Sequence, residues 1–567
     1  MKSTLSYLSG TSETPLLGIT IGDMLDRITE QYPKNEALVV RHQNIRWTYE
    51  AFNQQVNTCA RGLMALGIEK GDRVGMWSPN RYEWTVAQFA TAKIGAILVN
   101  INPNYRTQEL AYALKQSGCK MIITAEQFKN SNYVEMVQEL APELEQCTPG
   151  LLNCKRLPDL KIVVKLGREE VTGMFNWEDI YQQSDQVSDE QLAERQGSLA
   201  FDDPINIQYT SGTTGYPKGA TLSHHNILNN GFFVTEAMAF TDQERLIIPV
   251  PLYHCFGMVM GNLGCISHGA CMIYPSEGFE PEAVLEAVEE EKATAVYGVP
   301  TMFIAELEHP DFDRYDLHSL RTGIMAGSPC PTEVMKKVQT VMHMKDVQIA
   351  YGMTETSPVS TQTRIGAPLE KQVSTVGQIH PHLEVKVIDP DTNEVKPLGE
   401  PGELCTRGYS VMLGYWENPE QTARSIDSAR WMHTGDMATI DEDGYVNIVG
   451  RIKDMITRGG ENIYPREIEE YLYTHPQISD VQVIGVPDHK YGEEIMAWVK
   501  LQKGAELSDE DIREFCRGNI SHHKVPRYVK FTEEFPMTVT GKIRKVEMRE
   551  TSIIELGLQE VARIQTA

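Results

Sequence analysis

Residues 209–219 read Tyr209-Thr210-Ser211-Gly212-Thr213-Thr214-Gly215-Tyr216-Pro217-Lys218-Gly219. They follow residues 205–209, whose alternation of apolar and polar side chains is that of a strand. Gly212, Gly215 and Gly219 allow left-handed backbone and close approach of a ligand. The hydroxyls of Thr210, Ser211, Thr213 and Thr214, with the neighbouring amides, form a dense set of donors for phosphate oxygens, and Lys218 adds charge. The G-x-x-x-x-G-K-[ST] order is absent, so the segment does not imply a P-loop kinase or ATPase. A plain Ser/Gly surface loop is the competing reading, and the density of donors directly after a strand argues against it.

Upstream of this loop the chain alternates helical and extended patterns. Met24, Leu25 and Ile28, and then Phe52, Val56, Ala60 and Leu63, recur at helical spacing. Residues 72–77 read as a strand, 84–93 as a helix and 94–101 as a buried strand, and residues 105–116 and 121–125 repeat the order. Such a series implies right-handed crossovers and a mainly parallel sheet covered on both faces. Residues 143–200 are polar and weakly periodic and read as a variable connection. Between 385 and 450, short strands with turn signals at Asp389-Pro390-Asp391, Pro401-Gly402 and Asp443-Gly444 predict an antiparallel, barrel-like subdomain. Past Arg451, Pro465 opens a helix carrying Ile468, Tyr471 and Leu472 on one face. Residues 481–486 and 496–501 read as strands, and Ser508 with Asp511 forms a capping pair.

The bulk numbers bound the function. With 567 residues the chain exceeds one ordinary core. A formal net charge of −26 argues against a general nucleic-acid or anionic-membrane binder, while leaving room for a nucleotide held by a few local cations and amides. The ten cysteines include no CxxC pair and read as reduced, mostly buried thiols. No run of about 18 apolar residues marks a membrane span. The N-terminus has neither a signal core nor a presequence character, so a cytoplasmic location is expected, with the mitochondrial matrix as the alternative for a trimmed form.

Taken with further segments in the same order, the phosphate loop resembles that of the adenylate-forming superfamily: acyl-CoA synthetases, luciferases and peptide-synthetase adenylation domains. Tyr351-Gly352-Met353-Thr354-Glu355 resembles the family's adenine and magnesium segment, and Trp431-Met432-His433-Thr434-Gly435-Asp436 its ribose motif. Gly450-Arg451-Ile452-Lys453-Asp454 resembles the hinge, and residues 458–465 the loop after it. Thr540-Gly541-Lys542-Ile543 resembles the C-terminal lysine motif. Within the superfamily the chain is similar to medium-chain acyl-CoA synthetases.

The resemblance implies an α/β fold. It comprises a large multi-layer N-terminal domain (1–452), with mainly parallel sheets and a barrel-like subdomain, and a small mobile α+β C-terminal domain (453–567). It implies ATP, Mg²⁺ and CoA as reaction partners, with a small carboxylic acid, no nucleic acid and an open oligomeric state. The nucleotide would be held by Thr210 to Lys218, Tyr351, Gly352, Thr354, Asp436, Arg451 and Lys542. Glu355 and Thr214 would hold the metal, because oxygen ligands suit a hydrated hard cation. Tyr351 offers a face for adenine, and Asp436 an acceptor for the ribose hydroxyls. Arg451 serves the ribose or phosphate side, or a structural ion pair. Lys542 would offset the repulsion between carboxylate and α-phosphate. Lys453 is the implied hinge, and Gly459 and Gly460 would let CoA pass close to backbone. His254, in Pro251-Leu252-Tyr253-His254, is either a side chain at the acyl-pocket mouth or a satisfied core histidine. Phe256, Met258, Gly298 and Gly327 either wall an acyl tunnel or belong to ordinary core. Loading of a separate carrier protein, ligation of an aryl or other acid, luciferase-like oxygenation and a non-catalytic nucleotide-binding role remain as alternatives.

Overall fold

Apolar runs bounded by glycines become the buried strands of two large sheets. The computed structural model describes residues 4–210, 217–459, 461–538 and 542–564. Among these, one sheet has eight strands. Its centre is parallel, running through Ile162–Lys165, Cys119–Thr124, Arg73–Trp77, Ile97–Asn100 and Pro204–Thr210. Lys218–Ser223 then adds antiparallel to Pro204–Thr210, and Gly414–Tyr415 closes that edge. The helices Tyr49–Ala65 and Tyr82–Ile94 pack together near this sheet. Helix Tyr82–Ile94 is buried nearly all round, as a helix between layers must be.

A second sheet of nine strands has a parallel centre from Glu36–Val40 through Cys271–Tyr274, Arg245–Ile247, Ala295–Gly298 and Thr322–Ala326 to Asp346–Gly352. A third, antiparallel sheet of five strands joins Tyr7–Ser9, Leu383–Ile388, Gly402–Gly408, Met432–Ile440 and Val446–Arg451. This is the region whose turn signals predicted antiparallel strands.

One reading needs correction. Residues 143–200 are not merely a connection: Ile162–Lys165 is a fully buried strand of the eight-stranded sheet, and helices Trp177–Gln183 and Asp189–Gly197 follow it. Four buried residues among many polar ones are too few to show periodicity.

From Ile456 the chain builds separate cores. Ile456, Ile468, Leu472, Val481, Val483 and Val499 share one of them. The long hairpin Ile478–Asp488 and Gly492–Leu501 carries the sheet, with Tyr528–Phe531 added in parallel. Ser508 and Asp511 form the reciprocal cap of helix Asp509–Cys516. Among the described residues, polar contacts that hold this unit against the rest include the following. Ser479 Oγ donates to Glu308 Oε1 (2.6 Å), Thr332 N–H to Glu470 Oε2 (3.4 Å), and Arg466 to the Ile448 carbonyl (3.1 Å). All ten cysteines are free thiols. Among the described residues no helix is long and apolar enough to cross a membrane.

Candidate active site

The site lies where the edge of the eight-stranded sheet, the end of Asp346–Gly352 and the antiparallel sheet meet. Thr210 and Lys218 are partners across the last rung of their ladder, so the two ends of the expected phosphate loop are held side by side. Ser211, Gly212, Thr213, Thr214, Gly215 and Tyr216 lie outside the described residues, as do Gly460, Thr540 and Gly541. Pro217 is anchored through its carbonyl, which accepts from the Tyr112 hydroxyl at 3.0 Å.

Glu355 sits in a 3₁₀ turn just after strand Asp346–Gly352 and is 6% exposed. Its Oε1 accepts from the Thr210 hydroxyl (3.2 Å) and from the Tyr415 hydroxyl (2.8 Å). Tyr415 also presents its ring to Lys218, whose Nζ stands 5.3 Å from the centroid. Tyr415 thus joins the loop's lysine to the carboxylate, a role the sequence reading missed. Both donors to Glu355 are neutral, so a buried anionic oxygen beside the loop fits a hard divalent cation. Thr354 is buried beside it. Gly352 is obligatory where it stands, because a Cβ there would come within 1.7 Å of the Pro358 carbonyl oxygen.

Asp436 is the centre of a second cluster. It pairs in register with Arg451 on the adjacent strand, and its Oδ1 meets Arg451 Nε at 3.2 Å. Its Oδ2 accepts from the Tyr351 hydroxyl at 2.7 Å. Burial pushes the Asp436 carboxyl up, and Arg451 and Tyr351 pull it back. The two alternatives for Arg451 therefore merge: the guanidinium is an ion-pair partner of the same carboxylate that was expected to face ribose. Tyr351 contributes its hydroxyl to this cluster.

Lys542 arrives from the C-terminal unit. Its turn is tied by its own N–H to Thr538 Oγ1 (3.1 Å) and by the Thr538 N–H to the Lys542 carbonyl (2.7 Å). Downstream, Lys545 is pinned to Glu469 (2.6 Å) and the Val483 carbonyl (3.0 Å). The Lys542 side chain ends at Gly327, whose Cβ, if present, would lie 3.6 Å from Lys542 Cε and 3.2 Å from Val299 Cγ1. Desolvation lowers the ammonium pKa, as does the nearby charge of Arg451, while Glu355, Cys255 and Asp436 oppose the shift. The residues brought together are therefore Thr210, Lys218, Glu355, Asp436, Arg451 and Lys542, from segments hundreds of residues apart.

His254 stands at the head of the buried π-helical turn Phe256–Leu263. Desolvation, with the charge of Lys542, lowers its pKa to about 3, so the imidazole is neutral near pH 7. Its Nδ1 accepts from the Phe256 N–H at 3.4 Å, which leaves Nε2–H as the donor. A neutral imidazole with a free donor can hold a carboxylate oxygen without adding to the positive charge of Lys542.

The four residues expected at an acyl wall have defined neighbours. Met258 turns its sulfur to the amides of Asn100 (3.4 Å) and Gln208 (3.1 Å). The space beside Gly298 is taken by Phe303, which a Cβ there would approach to 2.9 Å. Phe256 packs on Tyr297 with centroids 5.4 Å apart. Gly327 stands between Val299 and the end of Lys542. Side-chain direction at these helix and strand ends is set by neighbours remote in sequence. Gly459 is exposed, has φ +61°, and donates its N–H to the Tyr491 carbonyl, while Arg458 is held by both oxygens of Glu494. Lys453 is exposed in the short 3₁₀ turn Ile452–Asp454.

Comparison with known proteins fits this geometry. Residues 25–416 match the family model described as AMP-binding enzyme, and residues 467–542 match the AMP-binding enzyme C-terminal domain. The chain belongs to the AMP-binding enzyme family. This AMP-binding enzyme is 52% identical over 538 residues to the putative acyl-CoA synthetase YngI of Bacillus subtilis (strain 168), covering 95% of this chain and 98% of that protein. It is 48% identical over 560 residues to the mitochondrial medium-chain acyl-CoA ligase ACSF2 of Danio rerio, covering 98% of this chain and 92% of that one. In fold, the AMP-binding enzyme superposes on ATP-bound MatB from Rhodopseudomonas palustris with a TM-score of 0.79 at 27% identity, over 94% of this chain and 99% of that chain.

Proposed function

We propose that the protein is an AMP-forming acyl-CoA synthetase that activates a medium-chain fatty acid. The observation that carries the reading is the position of Lys542. A cation from a separate unit is delivered to Gly327 and into the electrostatic reach of Arg451, Glu355 and Asp436. In the first half-reaction the acid's carboxylate oxygen attacks the α-phosphorus of ATP, giving acyl-adenylate and pyrophosphate. Both reacting groups are negative, so Lys542 lowers their repulsion and stabilises charge developing in the transition state. The neutral His254 orients the carboxylate through Nε2–H. Asp436 accepts the ribose hydroxyls while Tyr351 and Arg451 hold it. Lys218 faces the β- and γ-phosphates with the loop that begins at Thr210.

Glu355 would hold Mg²⁺, with Thr214 as the expected second ligand. When bound, that ion neutralises phosphate oxygens. In the second half-reaction the CoA thiol attacks the acyl carbonyl and releases AMP. The adenylate is itself the activated species, and no protein nucleophile is required. Residues 453–567 would turn about Lys453 between the two steps, exchanging Lys542 for the Gly459–Gly460 loop. The medium-chain assignment rests on similarity to relatives that carry that name. The bacterial relative favours a cytoplasmic location, and relatives named as mitochondrial keep the matrix open.

The test is acid-dependent ATP–pyrophosphate exchange and thioester formation, measured with straight-chain acids of increasing length and an aryl acid. The reading expects both activities to peak at medium chain length with free CoA as acceptor. A preference for an aryl acid, or for acyl-carrier protein over CoA, would replace it.

A further inference from the structure

Behind the ribose-side carboxylate the antiparallel sheet gathers three side chains the reaction does not use. Cys405, on strand Gly402–Gly408, stands directly opposite His433 on strand Met432–Ile440. Directly opposed residues on one face bring their Cβ atoms to about 4.5–5.5 Å. Glu403 lies two residues before Cys405 and so on the same face. The register slips between Glu403 and Cys405, and such a bulge re-aims side chains. As a result Glu403 Oε2 is 2.9 Å from His433 Nδ1, Cys405 Sγ is 3.7 Å from the same nitrogen, and one ligand atom from each residue lies within 4.8 Å of the others.

We infer that Glu403, Cys405 and His433 form a binding site for a borderline-soft divalent cation of the Zn²⁺ class. A tetrahedral ion with Zn–N, Zn–O and Zn–S bonds of about 2.0–2.3 Å places its ligand atoms roughly 3.3–3.7 Å apart. The three donors need only small rotations to reach those separations. A carboxylate–thiolate–imidazole set selects such an ion over Mg²⁺ or Ca²⁺, which take oxygen.

The surroundings add a second sign. Metal-bound histidines commonly present the other ring nitrogen to a carboxylate, and His433 Nε2 faces Asp427 Oδ2 at 4.0 Å. Asp427 is itself fixed, accepting the Trp431 N–H at 2.9 Å. Cys405 is fully buried, but the His433 and Glu403 side chains retain 26% and 12% exposure, which gives the ion access from the imidazole side. Lys386, whose ammonium lies over Trp431 at 4.5 Å, opposes the ion, and Glu403 and Asp427 favour it. Binding is an exchange without redox change. The metal–sulfur bond replaces the thiol S–H, whose proton passes to buffer, and the metal–Nδ1 bond replaces the Nδ1–H directed at Glu403, with the imidazole proton relocating to Nε2, where it faces Asp427. The Glu403 Oε1 contact with the Gly435 N–H (3.1 Å) can persist, so an occupied site is tied to the backbone next to Asp436.

Co²⁺ titrated into the full chain is the probe. The wild type should show the thiolate-to-cobalt charge-transfer band and the intense visible bands of a four-coordinate ion at one equivalent, displaced by Zn²⁺. Cys405→Ser should abolish the charge-transfer band, and Asp427→Asn should weaken Co²⁺ binding about 10-fold, as loss of an orienting carboxylate does. Thermal melts establish that each variant is folded, and Glu403→Gln, expected to weaken binding, replaces Cys405→Ser if that variant is not. The inference is overturned if the wild type gives only the weak spectrum of oxygen-bound, six-coordinate cobalt. It is equally overturned if the band survives in Cys405→Ser, or if Co²⁺ affinity is unchanged in the folded Glu403→Gln variant.

Discussion

On the proposed reading, replacing Lys542 by alanine should separate the two half-reactions. The ammonium reaches a place where Arg451 repels it and Glu355 and Asp436 attract it. Unit charges about 4 Å apart interact by about 4 kcal/mol at an effective dielectric constant near 20, so the repulsion from Arg451 offsets part of the attraction from Glu355 and Asp436 in the resting enzyme. What the substitution then removes is the interaction with charge that appears on the attacking carboxylate and α-phosphate. Loss of one such preorganised donor typically costs about 100- to 1,000-fold in rate, or about 2.7–4 kcal/mol. We expect acid-dependent pyrophosphate exchange to fall by that factor in Lys542→Ala, while supplied acyl-AMP and CoA still yield acyl-CoA within a few-fold of wild type. The pH profile gives an independent check. The lysine acts in its charged form and its pKa lies below the ordinary value, so kcat/KM for adenylation should fall as pH rises, before a free lysine would titrate. Lys542→Arg should move that fall to higher pH. A folded Lys542→Ala enzyme that keeps more than about a tenth of its pyrophosphate exchange would refute the reasoning, as would equal loss of both half-reactions.

Six other substitutions follow from the same geometry. Glu355→Gln should raise the Mg²⁺ concentration needed for half-maximal adenylation, and Tyr415→Phe should do so about 10-fold by freeing the carboxylate's orientation; Mg²⁺ titrations of turnover measure both. Tyr351→Phe removes one hydrogen bond to Asp436 and should raise the KM for ATP about 5-fold, from a contribution near 1 kcal/mol, with Asp436→Ala raising it further in the same steady-state assay. Gly327→Ala puts a Cβ at φ +89° and 3.6 Å from Lys542 Cε, and adenylation should slow more than thioester formation from supplied acyl-AMP. Lys453→Pro should retain pyrophosphate exchange and lose thioester formation, because proline fixes φ at the expected pivot.

Legibility in the sequence followed the range of the interaction. The strands Arg73–Trp77 and Cys119–Thr124 and the cap at Ser508 and Asp511 are encoded within a few residues, and each was readable there. Strand Ile162–Lys165 was not, since its four buried residues acquire meaning only beside Cys119–Thr124. Tyr415 lies 60 residues from Glu355, and Tyr351 lies 85 from Asp436. Nothing local marks either hydroxyl, and only the sheet order brings them to their carboxylates. The neighbours of Gly298 and Met258 were not legible for the same reason: Phe303 and Gln208 come from elsewhere in the chain.

The placement of the essential cation on a separate unit has an electrostatic logic. The chain carries a formal charge of −26, and the site itself holds the carboxylates Glu355 and Asp436. A polyphosphate and a second carboxylate must nevertheless come together there. Lys218 and Arg451 stay with the large unit, and Arg451 is committed to Asp436. On the proposed reading, Lys542 is the cation that is withdrawn between the two steps. Before adenylation the bound reactants carry their full negative charge, and an additional ammonium lowers the barrier. Once pyrophosphate has left, the acyl-adenylate keeps a single negative charge on its phosphate, and on the proposed reading the thiol then approaches where the ammonium stood. A fixed lysine would serve the first step and obstruct the second. Carrying it on a unit held to the rest by a few polar contacts, among them Ser479 to Glu308 and Thr332 to Glu470, lets one site serve both. Weakening those contacts should therefore slow adenylation before it slows thioester formation, and Glu308→Ala, assayed in the two half-reactions separately, should do so in that order.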